Sequence, residues 1–460
     1  MDIQLLDKEL GILNRTGFFQ KLKQQYLIDL TQDRQSLFIA MEYECISQLR
    51  GVLSAENITW LLIKVVDIYT SCLPSHAIVG RSLKEIDAYI VNFDEAQLPN
   101  LIENLTLKFN TPILLPTGQA VEIKPRFISA MTPGVLLHTE SPDKVISQMA
   151  MYLGYCDQSE NKKQHCHLDQ VTSQLLNRRV EIDSQILTAL GNNEMFLAYQ
   201  PKVDLTSQKI IGCEALARWQ HPSLGFVSPD EFIERAEFCG VIQALTLWVL
   251  KQSIETLAKC RVLNPDFTMA INLSATCIET PDFFDEIKFF IKHSDIPPQL
   301  FVFEVTESIA IENYELAVEF LQKLRELGCK VSLDDFGTGY SSLSVLSKLP
   351  LDSLKVDRSF IKNMLNSDAD IEIVRTINRL GHACGLKVIA EGIETKQDMQ
   401  IIADSIGCDY GQGYYFAKPM NDYKLLKHLA ENLKMNSPEK ANDLFISRFL
   451  SKYLKPASII

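Results

Sequence analysis

Three stretches decide how this chain folds: CKVSLDD at residues 329–335, DSLK at 352–355 and LKVIAE at 386–391. Each is a short, largely apolar run that ends on a charged side chain and passes into turn-like sequence. Their polar ends, Asp334, Lys355 and Glu391, stand 21 and 36 residues apart, room enough for a return helix each time. The pattern continues in both directions. FLAYQ ends at Gln200, IIGCEAL carries Glu214, TMAIN ends at Asn272, LFVFE at Glu304 and CDYGQ at Gln412. Eight candidate strands with polar ends, spaced by 21 to 58 residues from Glu214 onward, give the rhythm of an α/β protein with a (β/α)₈ barrel. The chemistry of such a barrel sits at the carboxyl ends of its strands. Only fourteen residues separate Gln200 from Glu214, with DLTSQK between, so the first two strands are predicted to form an antiparallel hairpin.

The chain around these strands sets limits on function. Among 460 residues, 58 acidic side chains outnumber 45 basic ones, a net charge of −13 that argues against a nucleic-acid polymer as partner. With 46% hydrophobic and 22% charged residues the chain is a folded one, and its length predicts two or three domains of roughly 100–200 residues. No apolar run approaches the ~18–20 residues of a membrane span. The acidic opening MDIQLLDKEL is unlike a secretory leader, and eleven cysteines without a CxxC pair suit a reducing compartment; a cytoplasmic protein is expected.

Residues 155–170, YCDQSENKKQHCHLDQ, lose apolar periodicity and read as a linker or exposed loop. Val171, Leu175, Leu176, Ile182, Ile186, Leu187 and Leu190 then follow at helical spacing up to Gly191. The expected organisation is a domain over 1–155, a linker and connecting helix over 156–190, the barrel over 191–432 and a helical tail over 433–460. In that tail Phe445, Phe449 and Tyr453 form an apolar stripe, expected to pack on its own domain. Cys156, His165, Cys166 and His167 match no standard zinc spacing, and a metal or redox site is not expected there.

Closing the eight strands brings Glu214, Asn272, Glu304, Asp334, Asp335 and Glu391 to one mouth, with Lys355 among them. A lone strand-end carboxylate is ordinarily a surface group or a helix N-cap. The joint pattern changes that reading, because five carboxylates in one partly buried mouth repel one another or take up protons unless cations neutralise them. All the ligands are hard oxygens and no His or Cys is among them, which favours Mg²⁺ or Mn²⁺, with Ca²⁺ as the alternative, over zinc. One carboxylate shared between two groups can hold two ions about 3.5–4 Å apart, the arrangement that activates water for phosphodiester cleavage. Asp334 and Asp335 are neighbours, so both reach the mouth only if the strand ends there; GTG at 337–339 makes that exit plausible.

At this point a family resemblance is strong. EALARW at 214–219, with His221, Pro222, Gly225 and Phe232 after it, resembles the signature of the EAL family of cyclic di-GMP phosphodiesterases. YQPKVDL at 199–205, NLS at 272–274, FEVTES at 303–308, DDFGTGYSSL at 334–343, LKVDRSFI at 354–361, AEGIET at 390–395 and GCDYGQGYYFAKP at 407–419 are similar to its other motifs, in order. The resemblance implies a modified, TIM-like barrel with one antiparallel strand, in agreement with the hairpin. It implies one metal on Glu214, Asn272, Glu304 and Asp334, and a second served by Asp334, Asp335 and Glu391. Glu391 would be the general base, Lys355 would hold the attacking water or the phosphate charge, and Gln200, Arg218 and Gln412 would contact substrate. Glu307 and Glu394 would support the site from behind, Glu307 by steadying the loop 337–342 that couples dimer contacts to metal binding in relatives. No metal or catalytic position is substituted, which favours an active phosphodiesterase making linear pGpG over a non-catalytic cyclic di-GMP receptor or adaptor.

The first half resembles an α+β GGDEF (diguanylate cyclase) domain more thinly. DKELGILNR at 7–15, then Phe18, is similar to that family's opening, but RSLKEIDAYIV at 81–91 occupies the hairpin where RLGGDEFAILL belongs. The paired glycines that let a nucleotide approach the backbone are replaced, so a regulatory or dimerising role is expected instead of cyclase activity. GTP or a protein is the candidate partner of this half, and a homodimer through the barrel is expected from the family's loop and the helix at 171–190.

Overall fold

The computed structural model describes residues 5–42, 46, 49, 52–82, 85–132, 164–307, 314–337, 346 and 348–436. The chain divides into two compact units, Met1–Val180 and Glu181–Ile460. The tail residues Phe445, Phe449 and Tyr453, together with Cys156, lie outside the described residues.

The first unit is built on a five-stranded sheet with the order β2-β3-β1-β6-β7, formed by β1 (Ser36–Glu42), β2 (Ile78–Arg81), β3 (Glu85–Ile90), β6 (Arg126–Thr132) and β7 (His165–Leu168). A small hairpin, β4 (Ile113–Leu114) with β5 (Ala120–Val121), stands beside it. β1 and β3 are buried along their whole length because helices cover both faces. Leu37, Ile39 and Met41 pack with helices Ala55–Ser71 and Leu98–Phe109; Phe38 and Ala40, one residue out of phase, pack with helix Arg15–Gln32. β2 and β3 pair antiparallel, giving the hairpin expected near 81–91.

One expectation fails here. Residues 165–168 read as loop, yet they form β7, parallel to β6. Leu168 fills the core beneath the sheet, while His165 and His167 point the other way and flank the Ser129 hydroxyl at 2.8 and 2.9 Å. The alternation is real, but polar histidines mask it.

The second unit is a closed barrel. Its strands are β8 (Met195–Asp204), β9 (Ile210–His221), β11 (Thr268–Asn272), β12 (Phe301–Thr306), β13 (Lys330–Phe336), β14 (Ser353–Val356), β15 (Lys387–Glu391) and β16 (Tyr410–Gln412), and β10 (Gly225–Val227) extends β9 as a short hairpin. The strands from β9 to β16 pair in parallel, and β8 closes the barrel antiparallel to both β9 and β16. The β8–β9 turn is set by Asp204, whose carboxylate accepts the backbone N–H groups of Thr206 (3.1 Å) and Ser207 (2.7 Å). Outward residues such as Ile271, Phe303, Leu333, Leu354 and Val388 form one apolar layer with the surrounding helices. Ile182, Ile186 and Ala189 of helix Gln170–Ala189 belong to that layer, so the second half of this helix is part of the barrel unit. No described helix is long and apolar enough to cross a membrane.

Candidate active site

Period-two alternation turns the polar members of the barrel strands inward, and their carboxyl ends place them at one mouth. Lys355, on β14, is fully buried at the centre. Its ammonium lies 2.6 Å from Glu391 Oε1, 2.9 Å from Asp334 Oδ2, 3.0 Å from Glu304 Oε2 and 3.5 Å from Glu214 Oε2. Carboxylate oxygens of Glu214, Glu304 and Asp334 come within 4.8 Å of one another, and so do those of Asp334, Asp335 and Glu391. The two triads share Asp334. Around Glu214, Asn272 Nδ2 donates to Oε1 (2.8 Å) and Gln412 Nε2 to Oε2 (2.7 Å). Gln412 Nε2 also lies 3.2 Å from Gln200 Oε1.

Two adjacent aspartates reach the same mouth through a defect in the strand. The β13–β14 register runs from Leu333 opposite Leu354 directly to Phe336 opposite Val356, so Asp334 and Asp335 together face the single residue Lys355. Asp335 takes a left-handed conformation with φ +53°, which an aspartate tolerates better than most residues. This bulge, rather than the end of the strand, rotates the second carboxylate toward the first. Gly337, two residues on, has φ +101°, and its N–H donates to Glu307 Oε2 at 3.1 Å.

Two adjoining cavities open over the ring, of about 540 and 620 Å³. Both are lined by Glu214, Arg218, Asp230, Asp334 and Asp335; the larger one adds Gln200, Lys355, Glu391, Glu394, Gln412 and Tyr414.

A sequence model described as the EAL domain matches residues 183–419. The chain belongs to the EAL domain family. Among curated relatives it is similar to the bifunctional diguanylate cyclase/cyclic di-GMP phosphodiesterase MucR of Pseudomonas aeruginosa, 28% identical over 94% of this chain and 62% of that protein. It is similar also to the cyclic di-GMP phosphodiesterases NbdA of Pseudomonas aeruginosa (37% identical over 53% of this chain and 31% of that one) and PdeR of Escherichia coli (34% over 58% and 40%). The chain thus spans less than two thirds of each. Among solved structures, the MucR phosphodiesterase in a c-di-GMP complex matches 53% of this chain and 99% of its own at TM-score 0.51 and 34% identity. The cGMP-bound EAL enzyme Bd1971 matches 76% of this chain and 82% of its own at TM-score 0.54 and 26% identity.

The EAL barrel carries an electrostatic imbalance in its mouth. Burial pushes the Glu391 carboxyl up to about 8, with the charges of Asp334 and Glu214 adding to it and Lys355 opposing it. Burial and Asp334 push Asp335 up to about 6. Burial also raises Glu304, against the pull of Lys202 and Lys355. Glu214 goes the other way: burial is outweighed by Lys355, Lys202 and the amides of Gln412 and Asn272, and the carboxyl falls to about 2. For Lys355 burial opposes the charge, but four carboxylates hold the ammonium well above its usual range. Two lysines against five carboxylates leave room for cations, and protons on Glu391 and Asp335 offset part of the excess when none is bound. The donor set of hard oxygens in two overlapping triads fits divalent oxygen-seeking ions.

Arg218, Glu394 and Glu307 lie around this ring. Arg218 is half-buried in the cavity wall, its guanidinium lowered by burial; Glu394 lines the larger cavity, and its N–H donates to Asp398 at 3.3 Å. Residues 338–342 lie outside the described residues, so of the loop contacts expected for Glu307 only that to Gly337 is in view. Among the described residues, the His165–His167 stretch belongs to no cluster of three metal-binding side chains. Sequence reasoning missed Lys202, buried beneath the ring with its ammonium on Glu304 Oε1. Its signal was available: it stands two residues after Gln200 on β8, hence on the same inward face.

Proposed function

We propose that this chain is a metal-dependent phosphodiesterase that hydrolyses cyclic di-GMP to linear pGpG. The observation that carries the reading is the pair of carboxylate triads sharing Asp334 around buried Lys355, in the mouth of an EAL barrel. Two divalent cations, Mg²⁺ or Mn²⁺, supply Lewis acidity and an activated water when bound. Glu214, Asn272, Glu304 and Asp334 would hold one, and Asp334, Asp335 and Glu391 the other. Glu391, at the edge of the second triad, accepts the proton of the attacking water as general base. The water oxygen bonds to phosphorus, the P–O3′ bond breaks, and the 3′ oxygen takes up a proton and leaves as a hydroxyl. Lys355 faces the charge that builds on the phosphoryl oxygens, and the planar fork of Arg218 suits those oxygens from the cavity wall. Gln200 and Gln412 contact substrate; Gln412 Oε1 is a buried acceptor without a hydrogen-bond partner, a group a ligand N–H can satisfy. Glu307 supports the loop after β13 through Gly337, and Glu394 supports the second triad from the cavity wall.

The first unit is, in this reading, a degenerate GGDEF domain that regulates the barrel, with GTP or a protein as its partner. The likeness to MucR along 94% of the chain and the β2–β3 hairpin support it. A homodimer through the barrel and a cytoplasmic setting complete the proposal. Incubation of the chain with cyclic di-GMP and Mg²⁺ or Mn²⁺, beside a Glu214→Ala control, tests it. Release of pGpG by the parent alone is expected; tight binding without cleavage would instead favour the receptor reading, and no turnover with either metal defeats the proposed activity.

A further inference from the structure

Lys202 occupies an unusual position. β8 runs against every other strand of the barrel, so each step of two from Gln200 moves down, away from the catalytic mouth. Lys202 is therefore one inward layer lower, opposite Gly212. A side chain at Gly212 has no room: a Cβ there would stand 2.2 Å from Thr268 Oγ1. The lysine lines a cavity of about 420 Å³ at the opposite mouth, and only its ammonium reaches up, to Glu304 Oε1. The other oxygen, Oε2, is the one that shares Lys355 with Glu214 and Asp334. Glu304 thus has one oxygen committed below and one presented above.

We propose that Lys202 restricts Glu304 to a single ligand oxygen and thereby makes the site select small octahedral cations over Ca²⁺. Mg²⁺ takes six ligands at about 2.0–2.1 Å and is content with one oxygen per carboxylate; Ca²⁺ takes six to eight at about 2.3–2.6 Å and commonly uses both oxygens of a carboxylate. With Oε1 held by an ammonium, the bidentate mode is closed. Lys202 touches neither the catalytic mouth nor a cation directly and acts through Glu304, so it is a positioning residue. The inference rests on the metal site of the proposed phosphodiesterase and goes beyond it by naming what sets the choice of metal.

The test is calorimetric titration of the chelator-treated full chain with Mg²⁺ and, separately, Ca²⁺, for the parent, Lys202→Met and Lys202→Arg, each checked for folding by circular dichroism. Loss of a buried positive charge strengthens binding of any divalent ion, so the ratio of the two affinities is the readout. Lys202→Met is expected to raise the Ca²⁺/Mg²⁺ affinity ratio about tenfold, and Lys202→Arg, which keeps a donor on Oε1, to restore the parent ratio. An unchanged ratio in Lys202→Met overturns the inference, whether both affinities rise together or neither moves. If Lys202→Met does not fold, the parent ratio in Lys202→Arg against a raised ratio in Lys202→Leu carries the same decision. A parent that binds Mg²⁺ but cleaves nothing defeats only the proposed hydrolysis; a parent that binds neither cation defeats the metal site and this inference with it.

Discussion

Removing metal from this chain should make its stability fall as pH rises, and the Glu391 carboxyl sets the size of the effect. Burial and the charges of Asp334 and Glu214 lift that group from 4.5 to about 8. Between those values the folded chain binds a proton that the unfolded chain has already released, so stability declines through the window and is fully reduced above about pH 8. At about 1.36 kcal/mol for each pH unit between the two values, the effect is on the order of several kcal/mol. Asp335, lifted to about 6, acts in the same direction from its lower range; it is more exposed and adds less. Glu214, depressed to about 2, stabilises the fold above its ordinary 4.5 and loses that contribution only as pH falls toward 2, so it leaves the window unchanged. Bound Mg²⁺ takes the place of the protons and should flatten the slope. Urea denaturation in chelator from about pH 5 to about pH 8.5 measures this. A Trp60→Phe background leaves Trp219 and Trp248 as the fluorophores, both in the barrel unit. Glu391→Gln, which mimics the protonated form, should match the parent near pH 5 and exceed it at pH 8 by several kcal/mol while abolishing hydrolysis. A parent whose metal-free stability is level or rising between pH 6 and 8 would refute the reasoning.

Three further outcomes are expected. Lys355→Met should lower kcat about 10²–10³-fold at saturating Mn²⁺, since it removes the one ammonium at the centre of the catalytic mouth; a rate within a few fold of the parent contradicts its role. Arg235→Met should destabilise the barrel by about 3–5 kcal/mol in urea denaturation, because it removes the buried guanidinium whose Nε and Nη2 each donate to the Asp183 carboxylate at 2.7 Å; a loss under 1 kcal/mol would show the pair to be inert. Deleting residues 1–170 should change the hydrolysis rate, read by product chromatography, and an unchanged rate removes the regulatory role proposed for the first unit.

The site was more legible than the means by which it is assembled. Glu214, Asn272, Glu304, Lys355, Glu391 and Gln412 could be read because each stands at or near the end of an apolar run, and a barrel has only one face where such ends meet. Asp335 was legible as a member of the carboxylate ring but not as a bulge: the extra residue shows only in the pairing with β14, a relation between segments that sequence spacing does not carry. The strand at 165–168 was hidden for a different reason. Its inward residue, Leu168, is apolar, but the outward histidines find their partner in Ser129, on a strand more than thirty positions earlier. Long-range polar satisfaction of that kind leaves no local periodicity to detect.

The antiparallel strand explains why one short motif serves two depths of the barrel. In a parallel strand, inward residues after a catalytic position rise toward the mouth and the solvent. In β8 they descend, so YQPK delivers Gln200 at the level of Glu214 and Lys202 one layer below it. A cation placed below the ring can offset carboxylate charge without occupying the space above it. Lys355 cannot do this alone, because its ammonium sits among the ligand oxygens themselves, 2.6–3.5 Å from four carboxylates. Cations entering the ring must displace or share those contacts, whereas Lys202 meets Glu304 Oε1 from the layer below. Reversing one strand therefore separates two tasks that a uniformly parallel barrel would crowd into one layer: neutralising the ring when it is empty, and orienting Glu304 when it is filled.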